Sequence, residues 1–153
     1  IILLKSGHFK PPDKKKSKDN FSLRLDFAYT CIKKLLKDLK PDIVVVEDYA
    51  KKFSAGRSSA NTILVLASFN EVCCLSIYQD LKKEPIRIPV RTLRKIMSQH
   101  YDTDIDDKID VLNFCMNTFK NFKPTKTKMD NYKKEFCDEA DAIIVALGYY
   151  WSK

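Results

Sequence analysis

Pro41-Asp42-Ile43-Val44-Val45-Val46-Glu47 is the stretch whose reading decides the fold class. Ile43 to Val46 is a continuous β-branched run, the pattern of a strand covered on both faces and so central in a sheet. Glu47 closes it. Upstream, from Phe21 to Leu39, the positions Leu25, Ala28, Tyr29, Ile32, Leu35, Leu36 and Leu39 follow helical spacing, with lysines on the other face and Pro41 just past the end. The spacing predicts a helix leading into the strand. Further upstream, residues 1 to 10 read as a strand bounded by Pro11-Pro12, and residues 13 to 20 as a polar loop with nothing to bury.

Downstream, Ser58 or Ser59 is placed to cap a helix running to about Gln79. Residues 85 to 90 read as a short strand, and Thr92 as the cap of a helix around Leu93 to His100. Thr103-Asp104-Ile105-Asp106 resembles a capping box opening a helix to about Phe119. A last helix is expected from roughly Cys137 to Tyr150, with Ala140, Ile143, Ile144 and Leu147 on its buried stripe and Asp138 and Asp141 in its first turn. The alternation of strand and helix predicts one α/β domain over residues 1 to 153.

At 153 residues and 44% hydrophobic content, the chain has enough material for a proper core. Lysine and arginine outnumber acids 28 to 20, and residues 1 to 40 alone carry eleven basic and four acidic side chains. That balance favours an anionic partner, nucleic acid ahead of a membrane surface. No apolar stretch reads as a membrane span, and Ile1-Ile2-Leu3-Leu4 is too short for a signal sequence. Cys31, Cys73, Cys74, Cys115 and Cys137 show no C-x-x-C spacing, so they read as reduced small hydrophobes in an intracellular compartment.

In open α/β sheets, sites gather at the carboxyl ends of strands, where Glu47 falls. Asp138 and Asp141 lie three residues apart, so a helix puts both on one face. Carboxylates suit hard cations such as Mg²⁺ or Mn²⁺, and a two-metal centre about 3.5 to 4 Å across can activate water and stabilise the leaving oxygen of a phosphodiester. Glu47, Asp138 and Asp141 are the candidate ligands, with Asp48 and Glu139 as less well placed spares. The plainer reading is that first-turn acids complement the helix dipole, by about 0.3 to 1 kcal/mol each. Between these acids, Asp48 to Arg57 mixes aromatic, cationic and small residues, and residues 120 to 136 form a lysine-rich connection that could touch phosphate.

With these residues in place, the chain resembles a RuvC-type Holliday junction resolvase of the ribonuclease H-like superfamily, which implies an α/β fold with a mixed sheet and flanking helices. The resemblance rests on the helix leading through Pro41-Asp42 into a strand ending in Glu47, the long helix from Ser58 to Gln79, the basic Arg91-Thr92-Leu93-Arg94-Lys95, and the late Asp138-Glu139-Ala140-Asp141-Ala142. It implies that Glu47 and Asp141 are catalytic metal ligands, with Asp138 a ligand or the residue orienting one. It implies that Arg94 and Lys108 face the scissile-strand phosphates and that Tyr49 or Phe53 stacks on an opened base. Lys51, Lys52, Arg57, Arg91 and Lys95 would complete the nucleic-acid-binding surface. The family's first strand carries a further catalytic Asp, and the chain reads as starting at the third strand, about 25 residues later by ordinary strand lengths.

The expectation is therefore a homodimeric endonuclease that cuts four-way DNA junctions with Mg²⁺ or Mn²⁺, in a cytoplasmic, organellar or viral setting, without membrane or small-molecule cofactor. Two alternatives stay open. One is a ribonuclease H-like module that binds branched or single-stranded nucleic acid without cutting, and the other is a different nuclease of the same fold.

Overall fold

Asn20 opens the first helix, α1 (Phe21–Leu39), by accepting the Leu23 N–H at 3.0 Å on its side-chain oxygen. Lys40 ends it in the left-handed region (φ 46°), its N–H on the Leu36 carbonyl, and Pro41 cannot continue the helix. The computed structural model of the chain describes residues 2–3, 5–10, 20–48 and 60–153. After α1 come β1 (Val45–Glu47), α2 (Ala60–Leu81), β2 (Ile86–Ile88), α3 (Val90–Tyr101), α4 (Lys108–Thr118) and α5 (Lys134–Trp151). Among the described residues the fold is mixed, with five helices and a small parallel sheet of β1 and β2. Two parallel strands need a crossover, and α2 supplies it.

The chain gathers into two compact units, one of residues 9–87 and one of residues 1–8 with 88–153. In the first, α2 lies along α1. Leu36, Cys74, Ser76 and Ile77 are buried, and the Ser76 hydroxyl bonds the Tyr29 carbonyl at 3.3 Å. Arg87 and Glu71 form a two-pronged pair whose hydrogen bonds raise the guanidinium pKa. In the second unit α5 packs on both α3 and α4. Leu93, Met97, Ile105, Leu112 and Ile144 are fully buried there, each stabilising by about 1.5 to 3 kcal/mol.

Several expectations are corrected. Residues 2–3 and 5–10 form no strand; side-chain tethers hold them instead, the Leu3 carbonyl accepting from Asn121 and His8 pairing with Glu139. The strand covers only Val45–Glu47, with Val45 and Val46 half-buried rather than covered on both faces, and Ile43 is 55% exposed. Thr92 does not cap α3, since its own N–H already bonds the Pro89 carbonyl at 3.0 Å and Pro89 takes the cap position. The capping box is Asp107 with Asp110, four residues beyond the one expected, because Ile105 is buried and the chain stays non-helical there. α5 starts three residues earlier than expected, so Glu135 is its first-turn acid and Asp138 and Asp141 lie further in.

α2 is long and apolar enough to cross a membrane by length and composition, contrary to the sequence reading. Only 17% of its most apolar window is buried within the chain, and Leu64, Leu66, Leu75 and Tyr78 are exposed. The five cysteines are free; Cys74 and Cys115 are buried and the other three half-buried.

Candidate functional site

The buried positions of α5 include Glu139, Ala140, Ile143, Ile144 and Leu147, which recur at helical spacing and turn this face inward. Asp138 and Asp141 flank that stripe on one side of the helix. Opposite them, α3 supplies Arg94 and α4 supplies Lys108. Lys108 is the first residue of α4, and its backbone is fixed by the preceding capping box, in which the Asp107 side chain accepts from Ile109 and Asp110. Arg94 follows the fully buried Leu93, so its stem leaves the core directly.

These four side chains form one hydrogen-bonded cluster. Arg94 Nη2 donates to Asp141 Oδ1 at 2.5 Å, and Arg94 Nη1 to the Asp106 carbonyl at 2.7 Å. Lys108 Nζ lies 2.9 Å from Asp138 Oδ1 and 3.5 Å from Asp141 Oδ2, bridging the two carboxylates. The inner pair is shielded, with Arg94 and Asp141 only 15% and 13% exposed, whereas Lys108 and Asp138 are half in water at 51% and 55%. Arg94 Nε is buried without a hydrogen-bond acceptor. The hydrogen bond to Asp138, and then the charges of Asp138 and Asp141, raise the Lys108 ammonium pKa against the opposing effect of burial. Behind the cluster, burial first and the Asp141 charge second push the Cys115 thiol up to about 12, so it stays protonated as part of the wall.

The other sequence-predicted residues lie as follows. Arg91 and Lys95 are exposed on α3, where Arg91 has Arg94 three residues and Lys95 four residues further on, the spacings that put each beside it on the helix surface. Glu47 is exposed at the end of β1 in the other unit, and its carbonyl accepts from the Asn70 side chain at 2.7 Å. Tyr49, Lys51, Lys52, Phe53 and Arg57 lie outside the described residues.

Among the described residues no group of three or more His, Cys, Asp or Glu side chains gathers into a metal-holding cluster. Asp138 and Asp141 have the hard oxygen donors that Mg²⁺ prefers and fit it as donor types. Their oxygens are engaged by Arg94 and Lys108, whose positive charge occupies the place a cation would take.

The sequence reading gave Glu139 only a spare role and did not single out His8. Glu139 is 7% exposed and meets His8 Nδ1 at 2.5 Å. A usable signal was present, since Glu139 sits four residues before Ile143 and so falls on the buried stripe; a carboxylate there needs a partner. Comparison of the chain with protein-family models, with curated proteins and with solved structures returned no match.

Proposed function

We propose that the chain is a ribonuclease H-like domain that engages branched DNA and cleaves it by metal-assisted phosphodiester hydrolysis, as a homodimer. The observation that carries this reading is the cluster of Arg94, Lys108, Asp138 and Asp141, four residues picked out by their motifs and drawn together from three helices. A cluster of two carboxylates with two cations suits a phosphate site. The carboxylates can hold a metal when the cations turn toward the incoming phosphate oxygens, while Arg91 and Lys95 extend the positive face along α3. Asp138 and Asp141 are the residues of this unit that would hold Mg²⁺, and the metal when bound would supply an activated water. Lys108 and Arg94 would position the scissile strand, and their release from the carboxylates would accompany substrate binding.

The test is incision of a synthetic four-way junction in Mg²⁺, with binding followed separately by fluorescence anisotropy. Expected results are tighter binding to the junction than to linear duplex, and cutting that falls about 100-fold or more in Asp141→Asn with binding retained. Undiminished cutting by Asp141→Asn, with circular dichroism unchanged, would falsify the assignment.

The engagement of both carboxylates by Arg94 and Lys108 favours a second reading, a module that binds branched nucleic acid without cutting it. The same assay separates the two. Junction binding without incision, together with no heat of Mg²⁺ binding in calorimetry, selects the binding module.

A further inference from the structure

Within the unit of residues 9–87, α1 and α2 leave a cavity of about 290 Å³ between them. The helical faces explain it. Arg24, Phe27 and Ala28 are three and four residues apart on α1, and Phe69 and Cys73 are four apart on α2, so each set shares one side of its helix. Phe9 lines the same space. Rings hold the walls apart, while Ala28 and Cys73 are too small to fill what lies between. Burial pushes the Cys73 thiol pKa up, which keeps that wall neutral.

Arg24 is the one charged group on an otherwise apolar lining. Its guanidinium carbon lies 5.2 Å from the centre of the Phe69 ring, and Phe69 is itself set edge to face by Phe21 at 5.8 Å. Among the described residues Arg24 makes no ion pair, unlike Arg87 and Arg94. A ring face satisfies little of a guanidinium's hydrogen-bonding capacity, because its five N–H groups form a fork shaped for a carboxylate, sulfonate or phosphate.

From this geometry we infer that the cavity is a binding site for a small amphipathic anion, with an apolar ring body held among Phe9, Phe27 and Phe69 and its anionic group on Arg24. The inference is independent of the nuclease reading and uses none of its residues. Such sites combine apolar walls with a few orienting polar groups, and a single guanidinium supplies orientation here.

The probe is 8-anilinonaphthalene-1-sulfonate, with neutral naphthalene as its uncharged counterpart, titrated against the full chain. Expected are one saturable site per chain, sulfonate binding about tenfold weaker in Arg24→Gln, and naphthalene binding unchanged by that substitution. Ala28→Leu, which fills the cavity, is expected to abolish both. Saturating sulfonate probe should slow alkylation of Cys73 by N-ethylmaleimide at least threefold by peptide mapping and leave Cys137, in the other unit, unaffected. A guanidinium that merely covers Phe69 would leave the anion bound equally well by Arg24→Gln. That result, an unprotected Cys73, or no saturable site at millimolar probe overturns the inference. Arg24→Gln and Cys73 protection remain decisive should Ala28→Leu fail to fold by circular dichroism.

Discussion

Arg94 of α3 and Asp141 of α5 meet at 2.5 Å with 15% and 13% of their side chains exposed, and the second arm of the guanidinium holds the Asp106 carbonyl just before α4. One side chain therefore ties all three elements of its unit. Charges this shielded are costly to leave unpaired. Arg94→Ala is expected to destabilise the unit by about 3 kcal/mol, while Arg94→Lys, which cannot reach both acceptors, loses about 1 to 2 kcal/mol. The measurement is urea unfolding followed by Trp151, the only tryptophan of the chain and part of α5. Equal midpoints for Arg94→Ala and the parent chain would remove the pair from the account of stability.

Lys108 should behave in the opposite manner. Its bridge to Asp138 is half in water, and such pairs contribute about 0 to 1 kcal/mol. Lys108→Ala is therefore expected to leave the unfolding midpoint nearly unchanged and to weaken junction binding. If Lys108 reaches one phosphate, the slope of log K against log salt falls by about 1 in the variant. An unaltered slope would place Lys108 outside the nucleic-acid interface.

What was legible in the sequence divides along physical lines. α1 is read to the residue because its apolar period, Asn20 at its start and Pro41 beyond its end agree. The start of α3 was misplaced because side-chain capping was expected from Thr92, whereas Pro89, with φ already fixed at −62°, ends the extended segment without any side-chain bond. The opening of α4 slipped by four residues because burial of Ile105, whose N–H bonds the Ser98 hydroxyl at 3.0 Å, outweighed a local acidic pattern. At the candidate site, the motifs picked out Arg94, Lys108, Asp138 and Asp141, but residue type alone cannot tell a cation facing phosphate from one already paired with a neighbouring carboxylate. That distinction depends on how α3, α4 and α5 pack, a tertiary property without local signature.

Gly148 of α5 lies against Leu93 of α3, and a methyl group in its place would stand 2.8 Å from Leu93 Cβ and 3.2 Å from Leu93 Cα. Leu93 is fully buried and its Cα belongs to a packed helix, so little room exists for it to give way. Alanine is the better helix former by about 1 kcal/mol, which would favour Gly148→Ala in isolation. Overpacking is expected to win, with a net loss of about 1 to 2 kcal/mol. A double-mutant cycle with Leu93→Gly, which removes the Cβ at 2.8 Å, checks the cause: the two substitutions should couple by about 1 kcal/mol or more, the Gly148 substitution costing less once that Cβ is gone. Additive effects would mean that the close approach of the two helices is not what requires glycine.

Asp107 gives the chain a pH dependence whose sign follows from its bonds. Backbone N–H groups of Asp110 and Ile109 donate to its carboxylate and hold its pKa below the ordinary value of 3.8. Because the folded-state value is the lower one, the cap's charge-assisted stabilisation is fully present above the unfolded value and is lost as pH falls through the folded one. The difference in Tm between the parent chain and Asp107→Ala should therefore be constant from neutral pH down to about pH 5 and shrink below about pH 4. Asp107→Asn is the informative control, since its amide oxygen still caps α4 but carries no charge to titrate. Its Tm advantage over Asp107→Ala should persist into acid without that decline. A parent-minus-alanine difference that stays flat through pH 3 would show that the capping box stabilises α4 through neutral hydrogen bonding alone.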